Sequence, residues 1–174
     1  MMDEAPNTLV TTYLEMTDPA QFRPAFSVDP AVTVRRAAMP DVMFYRTLYR
    51  GVGAAWRWRD RLLMSDAELA AALADPNCEV HVLYVADSPA GYVELVRTGH
   101  TVEIAYFGLF PAFLGRGLGK HLLSCGIERA WALGAKRVWL HTCNLDAPHA
   151  LANYLKRGFQ VFQIDEQPMP ERYR

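Results

Sequence analysis

Apolar and polar positions alternate along several short stretches of the chain with the two-residue period of a β-strand. The clearest alternation covers residues 80–86, and Asp87–Gly91 and Thr98–His100 carry the residues typical of turns. Similar stretches, rich in bulky apolar residues, occur on both sides of this region. The pattern predicts six or seven strands, drawn from 8–16, 32–38, 80–86, 92–96, 101–110, 137–143 and 159–164.

Four other stretches have the spacing of helices. Residues 41–49 follow Pro40, a residue suited to a first helical turn, and residues 66–74 follow Ser65, which forms a capping box with Glu68. A third helix is predicted to run from the Gly115–Gly119 region to Gly134, with two rows of residues four apart. One row is apolar (Leu118, Leu122, Gly126, Ala130) and the other is polar (Arg116, Lys120, Ser124, Glu128). A fourth helix contains Ala150, Leu151, Tyr154 and Leu155 and stops at Gly158.

The order of these elements predicts a mixed α/β sheet within a single domain, because strand runs are followed by a strand–helix–strand–helix–strand sequence. With 174 residues the chain can bury a sizeable core, and no linker or repeat divides it. A formal net charge of -1 and 51% hydrophobic residues argue against disorder, a dedicated nucleic-acid binder and a polybasic membrane binder.

Targeting and cysteine patterns add a location to this picture. The acidic start of the chain does not resemble a secretory signal, and the longest mostly apolar stretch, 104–115, is shorter than the roughly 20 residues of a membrane helix. The three cysteines (Cys78, Cys125, Cys143) show no Cys-x-x-Cys spacing. We therefore expect reduced thiols in a cytoplasmic protein that does not enter the membrane.

Three of the 11 glycines, Gly115, Gly117 and Gly119, fall within five residues at a predicted strand-to-helix junction. Glycine lets backbone approach a ligand closely, and the free N–H groups at a helix start favour phosphate. Arg116 and Lys120 add positive charge there. The cluster predicts a phosphate-binding loop, while a tight turn without a ligand is the alternative.

Two common phosphate motifs do not fit this cluster. A P-loop requires Ser or Thr after Gly-Lys, where this chain has His121, and a glycine where it has Leu114. The chain also does not match the dinucleotide-binding fingerprint Gly-x-Gly-x-x-Gly. The third glycine would fall on Lys120 if the motif began at Gly115, or on Leu122 if it began at Gly117. Although Asp146 has a position suited to a ribose-binding acid, the missing glycine disfavours an NAD-dependent oxidoreductase.

Two segments, 103–119 and 144–159, resemble the GNAT superfamily of N-acetyltransferases. The family's Gln/Arg-x-x-Gly-x-Gly/Ala motif falls on Leu114–Gly119, with Leu114 where Gln or Arg is usual. The run Tyr154–Phe159 is similar to the family's Leu-Tyr-x-x-x-Gly-Phe, with Asn153 in place of the leucine.

The resemblance implies a mostly antiparallel mixed sheet of about six or seven strands, flanked by about four helices. It also implies one domain, 1–174, in which 79–164 form the acetyl-CoA-binding core and 1–78 form a variable acceptor-side part. The implied activity is direct transfer of an acetyl group from acetyl-CoA to a primary amine of a small molecule or peptide in a ternary complex. A CoA-binding sensor or interaction module without transfer activity is the alternative.

The resemblance assigns donor-side roles to specific residues. Backbone amides of the loop would hold the pyrophosphate; the loop residues are Leu114, Gly115, Arg116, Gly117, Leu118, Gly119 and Lys120. Phe107 and Leu109 would pair their backbone with the pantetheine arm, and Asn144 would face the pantetheine or thiol region. Tyr154 stands where the family often has a general acid, although its spacing alone also fits a core tyrosine.

The identity of the general base is open. Glu103 is favoured because its surroundings resemble the histone-acetyltransferase branch of the family, where that glutamate is the base; the alternative is a solvated strand carboxylate. Glu94 and Asp146 are further candidates, as is water, and Asp146 is more simply a helix cap before Pro148.

Two other groups of residues admit more than one interpretation. His141, Cys143 and His149 suggest a metal site, but a fourth ligand is not evident, so we expect no metal. Aromatic residues of the early helices line an acceptor pocket, or else belong to the core or an oligomer contact: Tyr45, Tyr49, Trp56 and Trp58. The sequence leaves a homodimer open and does not name the acceptor.

Overall fold

Seven stretches rich in β-branched and aromatic residues pair into one sheet in the computed structural model, which describes residues 3–174. The strands are β1 (Thr8–Met16), β2 (Val32–Ala37), β3 (Cys78–Val85), β4 (Ser88–Thr98), β5 (Thr101–Leu109), β6 (Arg137–Cys143) and β7 (Gln160–Pro168). Their spatial order is β2-β3-β4-β5-β6-β1-β7. Only the β5–β6 pair is parallel, so the predicted mostly antiparallel mixed sheet is confirmed for the described residues.

Four α-helices flank the sheet within residues 3–174: α1 (Val42–Gly53), α2 (Asp66–Ala74), α3 (Leu118–Ala132) and α4 (Ala150–Lys156). Asp41 caps α1, and the capping box of Ser65 and Glu68 is formed at the start of α2. Helix α1 is longer than predicted because Val52 continues its buried face. No helix of these residues is both long and apolar enough to cross a bilayer.

The two faces of the sheet bury different cores. Helices α1 and α2 pack their apolar side chains against Val80, Val82 and Tyr92 on one face. Helices α3 and α4 cover the other face, where Val93 and Leu95 are buried. Successive strand residues point to opposite faces, which is why Tyr92 and Val93 belong to different cores.

The sheet opens between β5 and β6. These strands pair only from Thr101 to Glu103, opposite Arg137–Trp139, whereas β6 continues to pair with β1 as far as Cys143. The β4–β5 register shifts by one residue at Glu94, which leaves Ala105 as an extra residue on β5. Such a bulge bends a strand. The two strands therefore diverge after Glu103 and leave a wedge between them.

Packing changes one residue of the predicted polar row on α3. Ser124 is fully buried, donates a hydrogen bond to the backbone oxygen of Lys120 at 2.7 Å and accepts one from the backbone nitrogen of Ala25 at 2.9 Å. The irregular segment before β2 lies over this part of α3. The spacing of residues along α3 does not indicate that Ser124 is buried, because the segment that contacts it, at Ala25, is distant in sequence.

Candidate active site

A cavity of ≈ 190 Å³ lies in the wedge between β5 and β6. Leu114 and Gly119 line it near the glycine loop, and Trp56 and Trp58 line it beyond α1. Tyr154 of α4 also contributes to the wall. The cavity thus connects two places that are far apart in the sequence, the glycine loop and the aromatic residues after α1.

The glycine loop leaves backbone donors free at the start of α3. Gly115 and Gly117 have φ values of 76° and 74°, in the left-handed region that favours glycine. Gly117 is the N-cap of α3, no side chain caps this end, and no acidic residue occupies the first turn. Uncapped N–H groups and the positive end of the helix dipole form a site suited to a phosphate group.

The edge of β5 that faces the wedge also offers backbone groups. The nitrogen of Phe110 donates to the oxygen of Ala90 on the β4 side, at 2.8 Å. Donor direction alternates along an antiparallel strand, so the N–H groups of Leu109 and Phe107 face the opposite edge, toward the wedge. An extended ligand arm can therefore bind there as an additional strand.

Tyr154 is buried in the wall of the cavity. Its side chain is 7% exposed and packs edge-on against Phe107 and Phe159, with ring centroids 6.1 and 6.3 Å apart. Burial, with smaller contributions from Asp146 and Cys143, raises the pKa of Tyr154 well above its usual value of 10. The phenol therefore stays protonated at neutral pH and can donate a hydrogen bond into the cavity.

Glu103 and His141 lie side by side on β5 and β6. Glu103 does not line the cavity, whereas His141 does, and its Nε2 is 4.0 Å from the Glu103 carboxylate. Burial raises the pKa of Glu103, and the neighbouring histidine opposes that increase. The sequence suggested His141 only as a metal ligand. His141 lies two residues before Cys143 on β6, so the two side chains point to the same face of the sheet. This spacing is the signal that could have placed His141 beside Cys143 in the cavity.

The other candidate bases are bound to neighbouring groups. Glu94 is fully buried and accepts hydrogen bonds from Tyr45 Oη and Arg61 Nη2, both at 2.5 Å. Asp146 accepts hydrogen bonds from the Thr142 hydroxyl at 2.6 Å and the Cys143 nitrogen at 3.0 Å. The predicted helix cap is wrong, because Asp146 closes the turn after β6 and α4 begins only at Ala150.

Asn144 has a different place from the one expected. Its side-chain oxygen accepts a hydrogen bond from the nitrogen of Val10 at 3.0 Å, and its side-chain nitrogen donates to the oxygen of Thr8 at 2.9 Å. These bonds attach the end of β6 to β1 rather than directing the amide into the cavity. The sequence could not show that β1 lies beside β6.

The aromatic residues of the early helices divide between cavity and core. Tyr49, Trp56 and Trp58 line the cavity, whereas Tyr45 is fully buried beside Glu94. Sequence reasoning also missed the cavity residues Arg57, Asp60, Tyr106 and Tyr173. Among residues 3–174, no group of three or more His, Cys, Asp or Glu side chains is placed to hold a metal ion.

Comparison with known proteins identifies the family. The family model described as Acetyltransferase (GNAT) family matches residues 45–159 of the chain. The chain belongs to the GNAT acetyltransferase family. This GNAT chain is also similar to a curated Bacillus subtilis protein named Uncharacterized N-acetyltransferase YvbK, with 34% identity over 104 residues, 53% of this chain and 66% of that protein.

Solved structures share the fold of this GNAT chain. A GCN5-related N-acetyltransferase from Sphaerobacter thermophilus superposes with a TM-score of 0.67 and 18% identity, over 94% of this chain and 52% of that protein. The aminoglycoside acetyltransferase meta-AAC0020, from an uncultured soil metagenomic sample, gives a TM-score of 0.62 and 18% identity, over 75% of this chain and 90% of that chain. This chain thus spans 66% of the curated relative and about half of the Sphaerobacter protein.

Proposed function

We propose that this protein transfers the acetyl group of acetyl-CoA to a primary amine of a small molecule or peptide while both substrates are bound. The cavity between β5 and β6 carries the proposal, because it connects the glycine loop with the aromatic residues beyond α1. A donor and an acceptor bound at its two ends would meet within it. Direct attack of the amine then needs no acetylated enzyme.

Acetyl-CoA fits the donor side of the cavity. The uncapped start of α3 and the glycine loop, Leu114–Lys120, offer backbone N–H groups for a pyrophosphate, with Arg116 and Lys120 nearby. Leu114 lines the cavity, and this backbone mode of binding does not require a polar side chain there. The β5 edge at Phe107 and Leu109 would bind the pantetheine arm. We accordingly keep 79–164 as the proposed acetyl-CoA-binding core.

When bound, acetyl-CoA supplies the thioester carbonyl that the amine attacks. The Tyr154 hydroxyl, kept protonated by burial, would donate a hydrogen bond to the departing thiolate. The amine must lose a proton. Among the cavity residues able to take it, Asp146 already accepts two hydrogen bonds, and His141, unlike His149, has a carboxylate beside it, so His141 is the proposed base. Glu103 would act through His141, because its carboxylate lies 4.0 Å from His141 Nε2 and faces the positive charge that the ring gains with the proton. Glu103 is then a positioning residue, and Tyr154 and His141 are the catalytic residues.

Calorimetry with acetyl-CoA, CoA and NAD tests the donor. We expect acetyl-CoA and CoA to bind and NAD not to bind. If CoA does not bind at high micromolar concentration, the proposed acetyl transfer is wrong. Thiol release across a panel of amines then tests the transfer. CoA binding without thiol release for any amine would favour the sensor or interaction module instead.

A further inference from the structure

The outer end of the cavity combines aromatic rings with charged side chains. We call it the acceptor mouth and define it as Trp56, Arg57, Trp58, Asp60, Tyr106 and Tyr173. The Trp58 and Tyr106 ring centroids are 5.4 Å apart, and Tyr49 packs against both, at 5.4 and 5.3 Å. Flat apolar surface of this kind favours an aromatic or apolar body in the bound molecule.

The negative charge of the mouth is already neutralised. Arg172 Nε donates to the Asp60 carboxylate at 2.9 Å, and the Tyr173 hydroxyl donates to it at 3.0 Å. Both donors belong to the C-terminal turn Glu171–Tyr173, which lies against the mouth. Asp60 is therefore bound to its own chain and is a poor anchor for a cationic acceptor.

The positive charge of Arg57 has no such compensation. Its guanidinium donates to the backbone oxygen of Tyr173 at 2.8 Å and to that of Asp3. Both acceptors are neutral, and no carboxylate within residues 3–174 forms an ion pair with Arg57. An arginine carries five N–H donors, so several stay available for a ligand.

Arg57 has a left-handed backbone conformation. Its φ of 60° is that of the C-cap residue that ends the short 3-10 helix Ala54–Trp56. Asp60 is paired with Arg172, so Arg57 is the charged side chain of the mouth that no carboxylate of residues 3–174 neutralises.

We propose that the acceptor is an amine that also carries a carboxylate beside an aromatic side chain, that is, a free aromatic amino acid. Arg57 binds the carboxylate with charge-assisted hydrogen bonds, and the rings of the mouth contact the side chain. The inference rests on the proposed acetyl transfer and names its acceptor class. A polycationic acceptor, such as a polyamine or an aminoglycoside, meets uncompensated positive charge instead.

A pair of amines that differ only in the carboxylate tests the proposal. We expect kcat/KM for acetylation of L-phenylalanine to exceed that of phenethylamine by roughly tenfold or more, the usual effect of hydrogen bonds to a charged group. An aminoglycoside should be the poorest of the three. Tryptophan fluorescence, to which Trp56 and Trp58 of the mouth contribute alongside Trp131 and Trp139, gives a second readout of binding. With CoA present, phenylalanine should bind more tightly than phenethylamine.

Variants separate Arg57 from its neighbours. In Arg57→Gln, the ratio of kcat/KM for phenylalanine to kcat/KM for phenethylamine should fall toward one. Arg57→Lys keeps the positive charge and should keep most of the wild-type ratio. Arg59→Gln is the matched control, because Arg59 bonds to the oxygen of Trp58 and does not line the cavity. Thermal melting of each variant shows that it is folded.

Equal use of both amines, a preference for phenethylamine or the aminoglycoside, or no fluorescence response to phenylalanine overturns this acceptor class. So does an Arg57→Gln protein that keeps the wild-type preference. None of these results affects the proposed acetyl transfer, which stands or falls with acetyl-CoA binding and thiol release. The two proposals can therefore fail separately.

Discussion

Burial shifts the pKa of two side chains that matter for the proposed chemistry. It raises the pKa of Tyr154 well above 10, so the phenol stays protonated at alkaline as well as neutral pH. Glu103 titrates above its ordinary value for the same reason, and His141 limits that increase. The same residue types on an open surface would have ordinary pKa values.

Replacing Tyr154 with phenylalanine removes the hydroxyl and keeps the ring that packs against Phe107 and Phe159. We expect turnover to fall roughly a hundredfold, because the departing thiolate loses its donor, while CoA affinity changes little. Thiol-release kinetics and calorimetry measure the two quantities. Unchanged turnover would remove Tyr154 from the mechanism.

The pair Glu103–His141 predicts a pH dependence. A general base must be neutral to accept a proton, so kcat/KM rises with pH in any case as the base becomes free. Because burial raises the pKa of Glu103, gain of the Glu103 charge above the usual value of 4.5 should add a further rise. Glu103→Gln should lower kcat/KM roughly tenfold at neutral pH and remove this rise. His141→Gln should lower kcat/KM further than Glu103→Gln does, because it removes the proposed base itself. A Glu103→Gln profile parallel to that of the wild type would exclude the pairing.

At the scale of elements, two features create the donor side. The bulge at Ala105 and the short parallel pairing open β5 away from β6, and the uncapped start of α3 meets the opening. Neither is a property of one residue. Backbone groups that would ordinarily pair within the sheet or be capped are left free for a ligand.

Alanine substitutions at two glycines separate the contribution of the glycine loop to CoA binding from the general cost of a side chain at positive φ. Gly115 and Gly134 have φ values of 76° and 83°, and an added methyl group would meet no atom within 4 Å at either position. Alanine should therefore cost about 1 kcal/mol of folding free energy at both sites. Only Gly115→Ala should weaken CoA binding, about tenfold, because it displaces the loop.

Urea unfolding and calorimetry on the two variants give the comparison. Equal CoA affinities for Gly115→Ala and Gly134→Ala would show that the loop conformation does not contribute to binding. Unequal losses of stability would mean that the surroundings of the two glycines, rather than φ alone, set the cost.

At the scale of the whole molecule, one buried carboxylate connects three elements. Glu79 of β3 is 5% exposed and accepts hydrogen bonds from Arg129 of α3 at 2.7 and 2.9 Å. Arg36 of β2 lies 3.1 Å away, and His81 lies 3.0 Å away. These partners, Arg129 foremost, lower the pKa of Glu79 to about 2 despite its burial.

The low pKa of Glu79 predicts acid-sensitive stability. The difference between a pKa of 4.5 in the unfolded chain and about 2 in the folded protein corresponds to about 3 kcal/mol of folding stability. This contribution is present in full above pH 4.5 and is lost as the pH falls through about 2. Glu79→Gln should therefore lose up to about 3 kcal/mol at pH 7 and less than half of that at pH 3. Urea unfolding at both pH values measures it.

The control for this prediction is Glu128→Gln, an exposed carboxylate next to Arg129 on α3. It should change the free energy of unfolding by less than about 0.5 kcal/mol. A Glu79→Gln loss that is the same at pH 7 and pH 3 would show that the hydrogen bonds, and not the charge, hold the three elements together.

Local pattern was sufficient for the elements and insufficient for side chains whose partners are distant in sequence. Period and capping predicted the helix at 66–74 with its Ser65 cap, and the strand at 137–143. Asn144 and Ser124 were misjudged because their partners, Val10 and Ala25, come from segments over 90 residues away. Glu94 was considered as a base because nothing in the sequence brings Arg61 beside it.

The sequence by itself determined the order of strands and helices, the glycine loop and the resemblance to the GNAT family, because these depend on neighbours along the chain. Only the tertiary structure decided that β1 lies between β6 and β7, that β5 and β6 diverge, and that His141 rather than Glu103 lines the cavity. It also brought the C-terminal turn against Arg57 and Asp60. Contacts of this kind depend on which distant surfaces meet, and no local period records that.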